Sequence, residues 1–342
     1  MRRIWWGWRV GAKNAACLLL AATLAFAATR PHYGGTLRVE VREALVTADP
    51  PQTGYGMAEL NRAFAITQWV AGGRAVYAAG ENAPGGRPFP DAVEIQMGRP
   101  LREQGFDLDT GKADVVQVDL SEPRRAGRRV WSSAPVRLLV LVFAPRIEDA
   151  RVREALALAV DRAAIHNVLV QGQGEISGAL LPQWLSGYGF LFPAAQDAAR
   201  ARALVAGTPA AARMLTLGVP DSWNRRIADR IALDAKDTGL TVSQTAGANP
   251  DVRLMEVRIA STDPARALAG VAAALGLPEP ARADSPEALY AAERALLDGF
   301  RLVPLFHLPD VYAVSPRVKG GPGITPLGEW RFENLWLETG RP

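Results

Sequence analysis

Residues 149–172 read DARVREALALAVDRAAIHNVLVQG, and the rest of the chain is arranged around them. Val152, Leu156, Ala159, Val160, Ala163 and Val168 recur at intervals of three and four, which puts them along one face of a single long amphipathic helix. Arg151, Glu154, Asp161 and Arg162 fall mostly elsewhere and are expected in water. Asp149 suits the N-cap, where a carboxylate accepts an orphan N–H of the first turn. Gly172 can take the left-handed conformation that closes a helix. Periodicity by itself defines only a core helix of an α/β domain.

Upstream, Val136 to Phe143 reads VRLLVLVF, a continuous apolar run expected as a strand buried on both faces. Downstream, strands at Leu215–Val219, Leu240–Gln244 and Val252–Ile259 alternate with a helix from Ser222 to about Thr238, whose Ile227, Ile231 and Ala235 share a face. Such alternation predicts βα units and a sheet with parallel parts. Ser285-Pro286-Glu287 opens a further helix with proline at its first position. Leu302–Phe306 reads as a strand whose Pro304 marks an edge or a hinge crossing. Near the other end, Leu37, Val39 and Val41 alternate with Arg38 and Glu40 as a strand. Residues 55–70 read as a helix with Ala58, Leu60, Ala63, Phe64 and Ile66 apolar. Gly111 turns the chain into a strand at Val115, Val116 and Val118. The Gly111-Lys112 pair lacks the upstream glycine and the following Ser or Thr of a phosphate loop.

The 342 residues suffice for two domains with cores of their own. The pI of about 9.4 invites a nucleic-acid reading, which fails on location. Residues 1–28 hold Arg2, Arg3, Arg9 and Lys13 and no acid; without them the 39 basic residues fall to match the 35 acidic ones. The remainder is neutral, with a mixed-sign surface and no nucleic-acid partner. Residues 1–28 have the parts of a secretory signal: a basic segment to Lys13, an apolar core from Ala15 to Ala27, and small residues at Ala25-Phe26-Ala27 for cleavage. That core falls short of the roughly 20 apolar residues of a membrane span. If it stays uncleaved, it anchors the chain, with Trp5, Trp6 and Trp8 at the interface. Cys17, the sole cysteine, opens the apolar core rather than following it, so lipidation is not expected. The mature chain then has no disulfide, thiolate nucleophile or cysteine-ligated metal.

Several stretches, in order, resemble one family. D-x-R-V-R-x-A-L-x-x-A-V-D-R-x-A-I at 149–165 resembles the signature helix of extracellular solute-binding proteins of family 5, the peptide- and nickel-type binding proteins of ABC importers. Gly34-Gly35-Thr36-Leu37-Arg38-Val39 resembles their first strand, and Asp49-Pro50 their early turn. Gly85-Gly86, Pro88, Pro90-Asp91 and Val93-Glu94-Ile95 resemble a later run entering a strand, and Gly111 to Val116 a turn-to-strand element. Val318-Lys319-Gly320, Pro326-Leu327-Gly328 and Phe332-Glu333-Asn334 resemble the terminal run. The family's small extra subdomain, with its F-H-D-G-type segment, is mostly missing between the first strand and Gly85.

The resemblance implies an α/β fold of the two-lobe periplasmic-binding-protein type II-like (venus-flytrap) kind with mixed sheets. Lobe I is expected at 34–141 plus 304–342 and lobe II at 142–303. A monomeric, periplasmic or extracellular substrate-binding protein is implied, which captures a small solute such as an oligopeptide between its lobes and docks on ABC permease subunits. The loop Gly178–Pro182 with Trp184 to Phe190 resembles the family's P-x-P-P-x-x-W-G-Y loop. Aromatic loops behind a rigid helix often line ligand sites; the alternative is that these rings close a core. Asp263-Pro264 matches the end of the W-x-x-D-Y-x-D-P segment of peptide binders, but the aspartate that holds a ligand amino group there falls on Ala260. Asp263 equally suits a helix cap.

The expected ligand-contacting residues are therefore Trp184, Tyr188, Arg225 and Asp263; Arg225 would pair a carboxylate unless it is merely solvated beside Arg226. No cofactor, metal or catalytic residue is expected. His32, His166 and His307 lack metal spacing, and no G-x-S-x-G element is present. The many acidic residues leave a carboxylate pair open. The alternative function is a degenerate solute-binding fold acting as a sensor or protein-interaction module.

Overall fold

The computed structural model describes residues 30–42, 57–70, 73–121, 127–188, 192–219 and 222–338. The expected signal segment with Cys17, the Asp49-Pro50 turn and Phe190 lie outside the described residues. In chain order, β1 (Thr36–Glu40), α1 (Met57–Ala63), β2 (Phe64–Val70), β3 (Arg74–Ala79), β4 (Ala92–Gln96), α2 (Leu101–Asp109) and β5 (Val115–Gln117) come first. Next come β6 (Val130–Phe143), α3 (Ala150–Ala159), α4 (Arg162–Val168), β7 (Glu175–Ile176), α5 (Gln183–Ser186) and α6 (Ala198–Ala206). Then follow β8 (Met214–Gly218), α7 (Ser222–Lys236), β9 (Thr241–Thr245), β10 (Val252–Arg258), α8 (Pro264–Ala274) and α9 (Pro286–Leu297). The chain returns through β11 (Leu302–Val314), β12 (Val318–Lys319) and β13 (Trp336–Leu337).

One mixed sheet runs β2-β3-β4-β1-β5-β11-β6-β10-β8-β9, with β7 on β11. β1 is parallel to β4 and β5, and β8 to β9 and β10. β6 is antiparallel to both β10 and β11.

The run VRLLVLVF behaves as its composition demands. Side chains alternate across a strand. Leu139, Leu141 and Phe143 enter a core with Leu156, Ile165, Ile227 and Ile231. Val136, Leu138 and Val140 enter another with Leu268, Val271 and Leu289 on the opposite face. Trp131, earlier in the same strand, packs instead with Leu37, Ile95, Trp330 and Phe332. β11 makes the same passage: Val303, Leu305 and Phe306 join the first of these cores, Tyr312 and Val314 the last. Two adjacent long strands thus connect an N-terminal core, completed by the chain's final segment, to a larger two-layered core. Gly323 is required in that final segment, because a Cβ there would meet the Trp131 ring at 2.5 Å.

Two sequence expectations are corrected and a third is narrowed. The stretch 149–172 is two helices, not one. Asp149 caps the first, accepting from Arg151 N at 2.9 Å, but Val160 is extended and Asp161 caps the second by accepting from Ala164 N at 2.9 Å. The break resets the helical phase: Ile165 and Val170 are buried, Ala163 and Val168 are exposed, and Arg162 is buried. Residues 55–70 hold a short helix followed by β2, where Ile66, Thr67, Trp69 and Val70 favour a pleated surface and pair with β3. Pro304 lies not on an edge strand but on β11, which crosses between the cores as the other alternative has it, and it is tolerated at a register shift between Pro304 and Phe306.

Candidate functional site

A cleft opens where the chain passes between the N-terminal and the larger core. Its inner part, about 70 Å³, is lined by Arg42, Gln117, Asp119, Arg137, Glu256 and Asp310, among others. An adjoining outer part of about 460 Å³ shares Arg42, Leu101 and Asp119 and adds Gly98, Pro100, Ser121 and Arg226.

The floor is an ionic network on three neighbouring strands. Arg137 (β6) reaches Glu256 (β10) at 3.1 Å and Asp310 (β11) at 3.2 Å, and donates to the Pro309 carbonyl at 3.0 Å. Arg258 pairs with Asp310 and donates to the Leu327 carbonyl at 3.1 Å. Ser133 Oγ accepts from Asp310 N at 2.8 Å. Arg137 and Arg258 face each other across β6 and β10. The two acids keep them from repelling. Burial works to lower the Arg137 guanidinium, yet Glu256 and Asp310 outweigh it and hold the group above its usual range. Gly328 has no room for a side chain, since a Cβ there would collide with the Asp310 carboxylate and the Arg258 guanidinium.

The walls come from both sides. Buried Gln104 donates to the Arg99 carbonyl at 2.7 Å and accepts from Gln117 N at 2.9 Å; Gln117 in turn accepts from Arg42 N at 2.7 Å. Asp119 accepts from Ser121 N at 2.8 Å and from its hydroxyl at 2.7 Å. Across the opening, Arg226 of α7 donates to Ser121 Oγ at 3.4 Å.

None of the four residues singled out in the sequence lines this cleft. Trp184, on α5 and 38% exposed, donates from Nε1 to the Pro135 carbonyl at 2.9 Å, two residues from Arg137 along β6. Tyr188 donates to Glu293 at 2.9 Å and stacks edge-on with Tyr290. Burial, then Glu293, pushes the Tyr188 phenol well above its usual range. Burial likewise raises the Glu293 carboxyl, which accepts from the backbone of Leu180 and, at 2.9 Å, Leu181. Asp263 caps α8, accepting from Arg266 N at 2.8 Å. It also lines a hollow of about 290 Å³ with Leu185 and Ser186, on the α5 flank. Arg225 is exposed on α7, apart from the other three, and its carbonyl accepts from Gln244 at 3.4 Å. Sequence reasoning missed Arg137, Glu256, Arg258, Asp310 and Arg226. A signal existed for two of them: an arginine heading a run as apolar as VRLLVLVF, and an aspartate inside the buried strand LVPLFHLPDVYAV, each need a partner.

Among the described residues, no group of three or more His, Cys, Asp or Glu is placed to hold a metal. No described helix is long and apolar enough to cross a membrane.

The mixed α/β architecture, crossed twice between lobes, is that of the type II-like periplasmic binding proteins. The model of the bacterial extracellular solute-binding proteins, family 5 (middle), matches residues 61–268, and the chain belongs to this family. Proteins of this family bind solutes outside the cytoplasm rather than transform them. No curated protein matches the chain in sequence. Among solved structures, the ABC transporter substrate-binding protein CtaP of Listeria monocytogenes superposes with a TM-score of 0.67 at 16% identity, over 81% of this chain and 66% of that one. DppA of Helicobacter pylori, in complex with the peptide STSA, gives 0.67 at 18%, over 81% and 63%. NikA of Staphylococcus aureus, in complex with Ni(L-His)2, gives 0.67 at 13%, over 80% and 68%. The chain thus spans about two thirds of the length of these relatives, in keeping with the shortened first lobe read from the sequence.

Proposed function

We propose that this chain is the substrate-binding protein of an ABC importer. It captures a small solute, an oligopeptide or a molecule of similar size, between its lobes and delivers it to a membrane permease. The observation that carries the reading is the cleft: Gln117 and Asp119 reach it from one core, Glu256 and Arg226 from the other, and Arg226 touches Ser121 across it. A ligand between such walls favours the closed state by its differential affinity for it. A lobe division near Ser133–Pro135 on β6 and Pro309–Val311 on β11 is supported by the change of packing partners there. Trp184, Tyr188 and Asp263 flank the crossing on the α5 side, and Arg225 stands one residue from the cleft on α7. The protein acts after export, as a monomer.

Exposed Ala260 has no carboxylate for a ligand's amino group, which favours a solute without a free amine there. Mass spectrometry of small molecules released from freshly purified, denatured protein tests the proposal. A co-purified peptide or other solute, lost in a Glu256→Gln variant, supports it. An empty protein that shows no thermal shift with peptides or metal chelates favours the second reading, a sensor or interaction module, to which the missing carboxylate at Ala260 also points.

A further inference from the structure

A further cavity, of about 460 Å³, shares no lining residue with the cleft. It lies between α3, the segment Phe192–Ala195, the end of α9 and the first residues of β11. Its volume is in the range of small-molecule pockets, roughly 300–1,000 Å³. Leu158, Phe192, Tyr290, Leu297 and Phe300 supply apolar walls, and Gly178 lets the Phe192–Pro193 backbone close over it: a Cβ there would meet the Phe192 carbonyl at 2.7 Å.

The charges around it do not balance. Arg200 is taken by Glu154. Arg294 and Asp298, of opposite charge and both exposed, also line the cavity at the end of α9. Arg162 is only 4% exposed, and among the described residues no carboxylate pairs with it. It donates to the carbonyls of Pro304 at 3.1 Å, Ala157 at 3.1 Å and Ala194 at 3.2 Å, through Nε and Nη1 only. Its Nη2 has no hydrogen-bond partner among the described residues. Those carbonyls satisfy donors but leave a whole positive charge at the edge of a chamber with both apolar and charged walls, where burial lowers the guanidinium to about 10. Buried charges are ordinarily paired.

We propose that this cavity binds an amphipathic carboxylate, its carboxylate on Arg162 and its apolar body against Leu158, Phe192 and Tyr290. One uncompensated cation calls for a monoanion. The planar edge of a guanidinium matches a carboxylate. The hydrocarbon walls call for an apolar body rather than a bare inorganic ion. A fatty acid and the carboxyl end of an apolar peptide share this chemistry.

Calorimetry and thermal shift on the full chain test this, with octanoate, N-acetylleucine, octanol and acetate as probes. Octanoate or N-acetylleucine binds at one site; the tighter of the two tells whether the source is fatty-acid-like or peptide-like. Octanol, lacking the charge, and acetate, lacking the body, bind at least about tenfold more weakly, as a charge-assisted hydrogen bond or several buried methylenes imply. Arg162→Gln weakens binding about tenfold or more. Because Arg162 also ties α4 to β11, that variant can fail to fold, and Leu158→Trp serves as the second: it fills the chamber, leaves the three carbonyl partners in place, and abolishes binding. Arg226→Glu, in the cleft, leaves it unchanged. Octanol binding as tightly as octanoate, full binding by folded Leu158→Trp, or no binding of either carboxylate at millimolar concentration overturns the proposal.

Discussion

The Arg137 guanidinium lies 3.2 Å from the Asp310 carboxylate, and this contact joins the two strands that run from one core into the other. Arg258 shares the same carboxylate. Removing one member of a largely buried network leaves the others as uncompensated charges. Asp310→Ala is expected to lower stability by about 3 kcal/mol, read as a shift of the urea midpoint. The Asp310→Ala/Arg258→Ala double variant recovers roughly 1 kcal/mol or more of that loss; strict additivity would show that the network is not coupled.

Glu40 on β1 makes stability depend on pH. Burial first, and then the Asp107 carboxylate, raise its carboxyl from 4.5 to about 7, against the pull of Arg99 at 3.9 Å. The folded state therefore keeps a proton that the unfolded chain releases from 4.5 upward. This stability is full at acid pH and falls as pH rises through about 7. Glu40→Gln should flatten the slope across that window and be more stable than the parent at alkaline pH by about 2 kcal/mol. A variant whose pH profile parallels the parent's would remove Glu40 as the cause.

Arg226 tests the closure of the cleft. It is exposed, and its contact with Ser121 at 3.4 Å faces Asp119, which holds that serine. Arg226→Glu places like charges across the opening. Ligand affinity should drop about tenfold, near 1.4 kcal/mol, while the melting temperature of the ligand-free protein stays within the small range of surface substitutions. Unchanged affinity for the co-purified solute would move the binding surface away from α7.

The helix break is equally open to test. Asp161 caps α4 through Ala164 N at 2.9 Å, so Asp161→Ala should cost about 1 kcal/mol. If 149–172 were one continuous helix, alanine at this position would stabilise instead, because alanine is the better interior residue. Denaturant midpoints of the two proteins separate these outcomes by sign.

Much of the fold was legible in local pattern. The eight-residue apolar run from Val136 to Phe143 had to be a strand buried on both faces, and Ser285-Pro286 had to open a helix, as it does. The collinear matches from Gly34 to Asn334 pointed to the family to which the chain belongs. The helix break at Val160–Asp161 was hidden by the apolar spacing, which runs on across it, although Val and Asp are weak helix formers and Asp161 suits a cap. Its cause is tertiary: Asp161 N donates to Asp234 on α7 at 2.9 Å, and Arg162 reaches inward to the Pro304 carbonyl at 3.1 Å.

The cleft was less legible for the same kind of reason. Trp184 and Asp263 attract notice by residue type, yet the first holds a backbone carbonyl and the second caps a helix. Arg137, Glu256 and Asp310 lie more than fifty residues apart along the chain and meet only because β10, β6 and β11 are neighbours. Sequence by itself determined which segments are apolar, their periods, the family and the near-neutral body of the chain, since these rest on local composition and order. Tertiary structure alone decided which charges meet, because Coulomb attraction and desolvation depend on distance and burial, which only the strand order of the sheet sets.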